Sequence, residues 1–459
     1  MMRVKGKEGK GERGKEASRR FYSRSLFFIF ALLFALFFSP FHLFPFSPLP
    51  LSSSAATSVP SLTSTSTREG RLAVFDDVWE TIRDRYYDPS FQGVDWQAER
   101  EHFRPLAADA RSAEEFYSVL RRMLGQLHDA HTRVYGPDEK FDWQHPRFIS
   151  VGLSVREVEG QAVVVQVERG SDAERAGLRA GHIIKSLDGE PALDVFARRL
   201  NERVGASTLP AARLRAMATI FEGARDSTVR VGWTDAVGRQ ERFATLRREW
   251  RKRDVALSVK RVSGGYGVVE FEAFTQAVTL DLMRALGDRL RDVRGLIIDL
   301  RNNGGGEAEA MVEVASAFLP AGQDLGRFTD RTGRVRLEPQ TRERMLMAAD
   351  SIKRFHAPVV ILTSERTSSA AEIFVAAMKE AGRATALGTQ TCGCVLAIRR
   401  RHVLPDGGEL DVSEMDYRTA KGTRLEGAGV APDEKIPLYI NDLRAGRDRA
   451  LEQAIQLLK

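Results

Sequence analysis

Residues 296–306 read Leu-Ile-Ile-Asp-Leu-Arg-Asn-Asn-Gly-Gly-Gly. Four large aliphatic side chains ahead of a polar, glycine-rich end describe a buried strand running into a tight turn. A second stretch repeats the logic. Pro358-Val359-Val360-Ile361-Leu362 is an apolar strand, and Thr367-Ser368-Ser369-Ala370-Ala371-Glu372-Ile373-Phe374 places serines at the start of an amphipathic helix. Both motifs follow strands, and ligand sites of α/β domains gather at strand C-termini. Backbone N–H groups of a glycine turn beside a hydroxyl at a helix N-terminus can build an oxyanion hole next to a nucleophile. Acyl transfer at a carbonyl is therefore the leading chemistry.

Outward from these motifs, residues 255–459 alternate strands and helices. Strands are expected at Tyr266–Phe271, Gly295–Leu300, Val359–Leu362 and Ala384–Gly388, and helices at Leu280–Val293, Glu307–Phe318 and Ala370–Glu380. That is an α/β domain with crossover connections. Residues 147–250 are β-rich, with short runs at Phe148–Val155 and Ala162–Val167 and glycine turns at Gly170, Gly181 and Gly189. Residues 71–146 carry helical periodicity through Val74, Phe75, Val78 and Ile82, then Phe116, Val119, Leu120 and Met123, with Ser112 as a helix start. The helical part ends at His128-Asp129-Ala130-His131.

Composition narrows the class. The chain has 459 residues and a formal charge of +7, but its first 25 residues alone carry nine Lys and Arg. The remainder is near balance, with no basic stripe interleaved with aromatics, so nucleic acid is excluded as a partner. Leu26–Phe38 is a 13-residue apolar run, too short to span a bilayer comfortably. With its basic flank and Ser54-Ala55-Ala56 beyond, residues 1–56 read as a secretory signal or an uncleaved membrane anchor. Residues 57–70 read as a Ser/Thr-rich linker, so an exported, periplasmic or extracellular protein is expected. The two cysteines, Cys392 and Cys394, exclude a disulfide framework. They read as two small side chains in a tight loop, with a strained bond or a soft-metal site as alternatives. No second ligand cluster accompanies them, and His128 with His131 lacks a third ligand, so neither metal nor cofactor is expected.

Gly170–Leu178, Gly181–Gly189 and the helix from Asp194 resemble a PDZ domain, which implies a peptide-carboxylate loop at Val151, Gly152 and Leu153. A structural β-domain without that role is the alternative. The PDZ-like module taken with YGVVEFEAF, DLRNNGGG, TSSAAEIF and EGAGVAPD resembles peptidase family S41, the processing and tricorn-core serine peptidases, from about Arg71 onward. The resemblance implies a multidomain α+β fold: an N-terminal helical region, a PDZ-like domain at 147–250, and an α/β, crotonase-like ββα catalytic domain at 255–459. It implies Ser369 as nucleophile, with the capping role passing to Ser368 or Thr367, and Ala370 with Gly305 as oxyanion donors. On residue type alone, Ser369 reads better as a helix cap and His131 as a surface or capping histidine.

This chain departs from the processing branch, because Cys394 stands where that branch has the lysine of its dyad. The tricorn-like branch instead implies His131 as base and Glu426 as its orienting carboxylate, although Ala130 replaces the serine before the histidine. Imidazole suits the role because it titrates near neutrality. Arg301 reads as a structural ion-pair partner. The expectation is a serine peptidase acting on peptides or unfolded protein ends. A peptide-binding protein that has lost the chemistry, and a protein that binds or hydrolyses a small amphiphile, are the alternatives.

Overall fold

The computed structural model describes residues 63–139, 147–201, 205–235, 240–252, 256–343 and 354–459. The expected signal or anchor lies outside these residues, as do residues 57–62 of the expected linker. Among the described residues no helix is long and apolar enough to cross a membrane.

The C-terminal half is built on a six-stranded sheet in the order 258–262, 266–270, 296–299, 359–363, 384–388, 434–435. Its first pair is antiparallel and the rest are parallel. The register aligns Val269, Ile298, Ile361 and Ala386 on one face. That face packs against helices Gln276–Gly287, Ala308–Ser316 and Ala370–Glu380 in the largest apolar core. Val268, Ile297, Val360 and Leu362 point the other way, onto helix Arg449–Leu457. Burial on both faces explains why these strands are unbroken aliphatic runs instead of alternating ones. Strands 384–388 and helix 370–380 fall where the sequence placed them. The first crossover helix begins at Gln276, not Leu280, because Thr275 caps it by accepting the Val278 N–H. Arg301 is indeed structural: its guanidinium forks onto Asp299 and Asp448.

The middle module is an antiparallel sheet in the order 153–158, 161–167, 183–187, 228–234, 242–247 around its own core. Strand 153–158 is its edge. Helix Leu209–Ala218 lies beside that edge, tied to it by the Arg213 fork on Glu157.

Helices Arg68–Arg85, Trp96–Ala108 and Ala113–Gly125 form the N-terminal region. Their core is not self-contained. Phe116, Leu120 and Val134 share it with Leu396, Leu404, Leu410 and Val412 from the far end of the chain. Strand Arg133–Tyr135 pairs antiparallel with Glu409–Asp411. That pairing fixes the backbone immediately after His131.

Candidate active site

Ser369 occupies the N-cap position of helix 370–380 with φ 57° and ψ −126°. A non-glycine residue there costs on the order of 1–3 kcal/mol and is found where surrounding structure enforces it. The enforcing contacts are backbone ones: the Ser369 N–H donates to Cys394 O at 2.8 Å and to Glu372 Oε2 at 3.1 Å. The expected transfer of the cap to Thr367 or Ser368 does not occur. Thr367 is buried and donates its hydroxyl to Leu300 O, tying the serine turn to the end of strand 296–299. Ser369 and Glu372 face each other as a capping box: the Glu372 carboxylate holds the Ser369 N–H, and Ser369 Oγ faces the Glu372 N–H without forming a cap hydrogen bond of normal geometry. The hydroxyl is left available at the positive end of the helix.

The glycine turn presses directly on this serine. A Cβ on Gly305, whose φ is +95°, would lie 2.6 Å from Ser369 Cβ and 3.1 Å from the Ala370 nitrogen. Ala370, first in the helix, has an N–H with no intrahelical acceptor. The Gly305 N–H is differently placed from the expectation: it donates to Asn303 Oδ1 at 2.9 Å. Asn303 is fully buried and is anchored through its amide to Phe271 O.

Glu372, one helical turn on from Ser369, has no solvent exposure. Its two oxygens accept from the Thr391 hydroxyl, from Gly393 N at 2.7 Å, from Cys394 N at 2.9 Å and from Ser369 N. Burial raises its pKa to about 7 against these four donors. The sequence reading gave Glu372 no role, although Ser-x-x-Glu is the capping-box spacing that could have shown it. The loop that it grips holds Cys392 and Cys394, which are joined to each other in a disulfide. The two-small-side-chains reading thus gives way to a bonded pair. Cys392 O accepts from the Thr208 hydroxyl, and Gly393 O from the Gly427 N–H. The loop is therefore where the serine turn, the middle module and the Glu426 turn converge.

The turn that leads into His131 reaches the same loop from the helical side. Ala130 packs with Cys392, Cys394 and Ala211 in one apolar cluster. Asp129 is buried and accepts from the His131 and Thr132 backbone N–H groups and from the Thr132 hydroxyl, which sets the turn. The Nδ1 atom of His131 is buried without a hydrogen bond. Desolvation pushes the imidazole down to about 4, opposed by the charge of Asp129. Glu426 is buried on the loop's other side, accepting from Val395 N at 2.7 Å and Leu396 N at 3.2 Å. Burial pushes it up to about 7. Its second oxygen makes no hydrogen bond of normal geometry, although the nearby Ser207 hydroxyl offsets part of the shift. Ser207 also accepts the Ala130 N–H, so it stands between Glu426 and the histidine turn. No hydrogen bond joins His131 to Ser369 or Glu426 among the described residues.

Val151, Gly152 and Leu153 are all buried. The Gly152 N–H is held by Ser150 Oγ at 2.9 Å, and a Cβ there would lie 2.3 Å from Ser171 Cβ. The described residues contain no His, Cys, Asp and Glu group of three or more suited to a metal.

A serine in a left-handed turn at a helix start, backed by a glycine turn at a strand end, is the feature that comparison with known proteins addresses. Residues 265–436, which contain both turns and Glu426, match the model of peptidase family S41, and residues 68–125 match the tricorn protease C1 domain. Residues 265–436 carry a peptidase family S41 domain. The chain is 28% identical over 399 residues to carboxyl-terminal-processing peptidase 3, chloroplastic, of Arabidopsis thaliana, covering 83% of this chain and 72% of that protein. It is 26% identical to putative tricorn protease homolog 2 of Streptomyces coelicolor, covering 83% of this chain and 32% of that protein. Among solved structures, the photosystem II D1 C-terminal processing protease aligns with TM-score 0.52 and 26% identity, over 80% of this chain and 93% of that one. Mature CPAF complexed with lactacystin shares the fold at TM-score 0.66 and 13% identity, over 85% of this chain and 98% of that one. This S41 chain is thus a mixed helix-and-sheet peptidase. His131 and the 151–153 loop lie outside both matched segments.

Proposed function

We propose that this S41 chain is an exported serine endopeptidase acting on peptides or the C-terminal regions of unfolded proteins. Ser369 attacks the scissile carbonyl, and the Ala370 N–H with the 304–306 turn holds the developing oxyanion. The observation that carries the reading is the Ser369 turn: a left-handed serine whose hydroxyl makes no cap hydrogen bond of normal geometry, packed against Gly305 and followed by a helix N–H with no intrahelical acceptor. Gly305 takes its part when its N–H leaves Asn303 Oδ1 for the oxyanion, so Asn303 is a positioning residue that presets the turn. His131 serves as general base. Its depressed pKa keeps it neutral, and so able to accept the serine proton, at any pH above about 4. Glu426 supports it through Ser207 and the Ala130 backbone, in place of the serine that Ala130 has replaced. Cys394 sits where the processing branch has its lysine, and its sulfur is bonded to Cys392, so it supplies no thiolate base.

The middle module is read as PDZ-like and the 255–459 domain as crotonase-like. A peptide would lie along the edge strand 153–158, between it and helix 209–218, which is the strand-addition mode of recognition. The buried 151–153 loop supports a form in which that groove is shut.

Turnover of an unfolded protein by residues 70–459 tests the assignment. Ser369→Ala and His131→Ala should each lower kcat at least about a thousandfold, whereas Cys394→Ala should keep most activity. Undiminished cleavage by Ser369→Ala would remove the nucleophile. The alternative, peptide binding without turnover, is favoured by the missing lysine, and it stands if wild type binds peptides but cleaves none.

A further inference from the structure

Cys392, Gly393 and Cys394 form a loop without slack. All six of their backbone polar groups are paired. Cys392 donates its N–H to Thr367 O at 2.9 Å and accepts the Thr208 hydroxyl at 2.7 Å. Gly393 and Cys394 donate theirs to Glu372 at 2.7 Å and 2.9 Å. Gly393 O accepts the Gly427 N–H, and Cys394 O accepts the Ser369 N–H at 2.8 Å. Between the cysteines, a Cβ on Gly393 would lie 2.8 Å from Thr208 Cγ2 and 2.9 Å from the Gly429 nitrogen. The loop therefore cannot shift without pulling on the turn that carries Ser369.

The Cys392–Cys394 bond is enclosed as tightly as the backbone. Cys392 is 8% exposed and Cys394 1%. Their apolar neighbours are Ala130, Ala206 and Ala211. A methyl group has no rotamer to change, so none of these neighbours can swing aside. Ala130 precedes His131, and Ala211 lies in the first turn of helix 209–218. Two bonded sulfurs fill less space than two thiols, which stand apart by a full non-bonded contact and carry a hydrogen each. Added volume in a close-packed site is relieved by moving backbone. Here the backbone that can move is the loop bonded to Ser369 or the turn that leads into His131.

We propose that the Cys392–Cys394 bond is a redox switch on the peptidase: a dithiol reductant opens it, and the crowded dithiol form displaces the Ser369 and His131 turns from their working geometry. The effect on turnover rests on Ser369 as the nucleophile. In the chemical step a reductant thiolate attacks the sulfur of Cys392, the more exposed of the pair. A mixed disulfide forms, and Cys394 leaves as a thiolate that takes up a proton. The reductant's second thiol then attacks the reductant's own sulfur, and Cys392 leaves and takes up the second proton. Two electrons pass to the protein, and the reductant ends as a cyclic disulfide. The oxidised, competent form is the one expected outside the cytosol, and the reduced, slow form the one expected inside it.

Turnover of an unfolded protein by the full chain, before and after reduction with dithiothreitol, tests this, with alkylation and mass spectrometry counting the thiols. Reduced wild type, with two thiols, should turn over at least about tenfold more slowly than the oxidised form, and reoxidation should restore the rate. Cys392→Ala and, separately, Cys394→Ala each remove one sulfur and so relieve the crowding. Each should stay within about twofold of oxidised wild type, with or without reductant. Amide hydrogen exchange needs no turnover: the Ser369 N–H should exchange at least about tenfold faster in reduced wild type, and in neither variant. An undiminished rate with two thiols counted, a bond that dithiothreitol leaves intact in the native protein, or single variants as slow as reduced wild type would each overturn the proposal. If the oxidised chain cleaves nothing, the peptidase reading falls instead, and the exchange of the Ser369 N–H alone decides the switch.

Discussion

Gly305 has to be glycine for two separate reasons. Its φ of +95° is one that side chains rarely adopt, and its missing Cβ is the space that Ser369 Cβ and the Ala370 N–H occupy. Gly305→Ala should therefore displace the serine turn. The expected result is loss of at least about tenfold in kcat with a stability loss of about 1–3 kcal/mol, read by turnover and by denaturant unfolding. The acid limb of kcat/KM is a second residue-scale test. An unperturbed histidine would give a limb near 6.5, but burial of His131 moves it down toward 4. A limb that stays near 6.5, or one unchanged in His131→Ala, would take the base role away from it. Much of the site is legible as residue types: the serine, the glycine turn and the helix start are all visible in the chain. The commitment of the Gly305 N–H to Asn303 is not. It depends on a buried side chain reaching forward two residues, and no spacing rule distinguishes Asn302 from Asn303 for that task.

At the scale of elements, the Cys392–Cys394 loop shows how helix 370–380 organises its surroundings. A single carboxylate, Glu372, satisfies four donors, three of them on the loop. Glu372→Ala would strand those donors in a site closed to solvent, and the expected cost is about 3 kcal/mol or more by denaturant unfolding. A loss under about 1 kcal/mol would mean that the loop is held by its other contacts. The loop also shows why the sequence reading stopped where it did. Two cysteines separated by one residue do not reveal whether they bond. Nor does the chain show that Thr208, Glu372 and Gly427 all meet there, because these come from three distant segments. By contrast, strands 359–363 and 384–388 and helix 370–380 were readable because each is a continuous apolar or amphipathic run with clear ends. The 276–287 helix began early because Thr275, a good cap, precedes a weakly patterned first turn.

For the molecule as a whole, two buried carboxylates set a dependence of stability on pH. Glu372 and Glu426 both have folded-state pKa values raised from 4.5 to about 7. Between those values the native state binds more protons than the unfolded chain, so stability falls as pH rises through that window. His131, lowered from 6.5 to about 4, acts in the opposite direction below 6.5. Each carboxylate contributes a fall on the order of 3 kcal/mol. Glu426→Gln should flatten the decline between pH 5 and pH 8 by about that amount in unfolding measurements. An unchanged slope would show that Glu426 titrates normally.

The shared core of the N-terminal helices and residues 396–412 bears on how the molecule is made. Strand 133–135, which steadies the His131 turn, has its partner only at 409–411. During synthesis the first third of the chain must wait for the last before either is complete, a long-range closure of the kind that folds slowly. A nascent or truncated chain that stops short of residue 412 lacks the strand pairing that follows that turn and part of the core behind it. Hydrolytic competence would then come late and all at once, which spares a half-made peptidase from attacking its neighbours or itself.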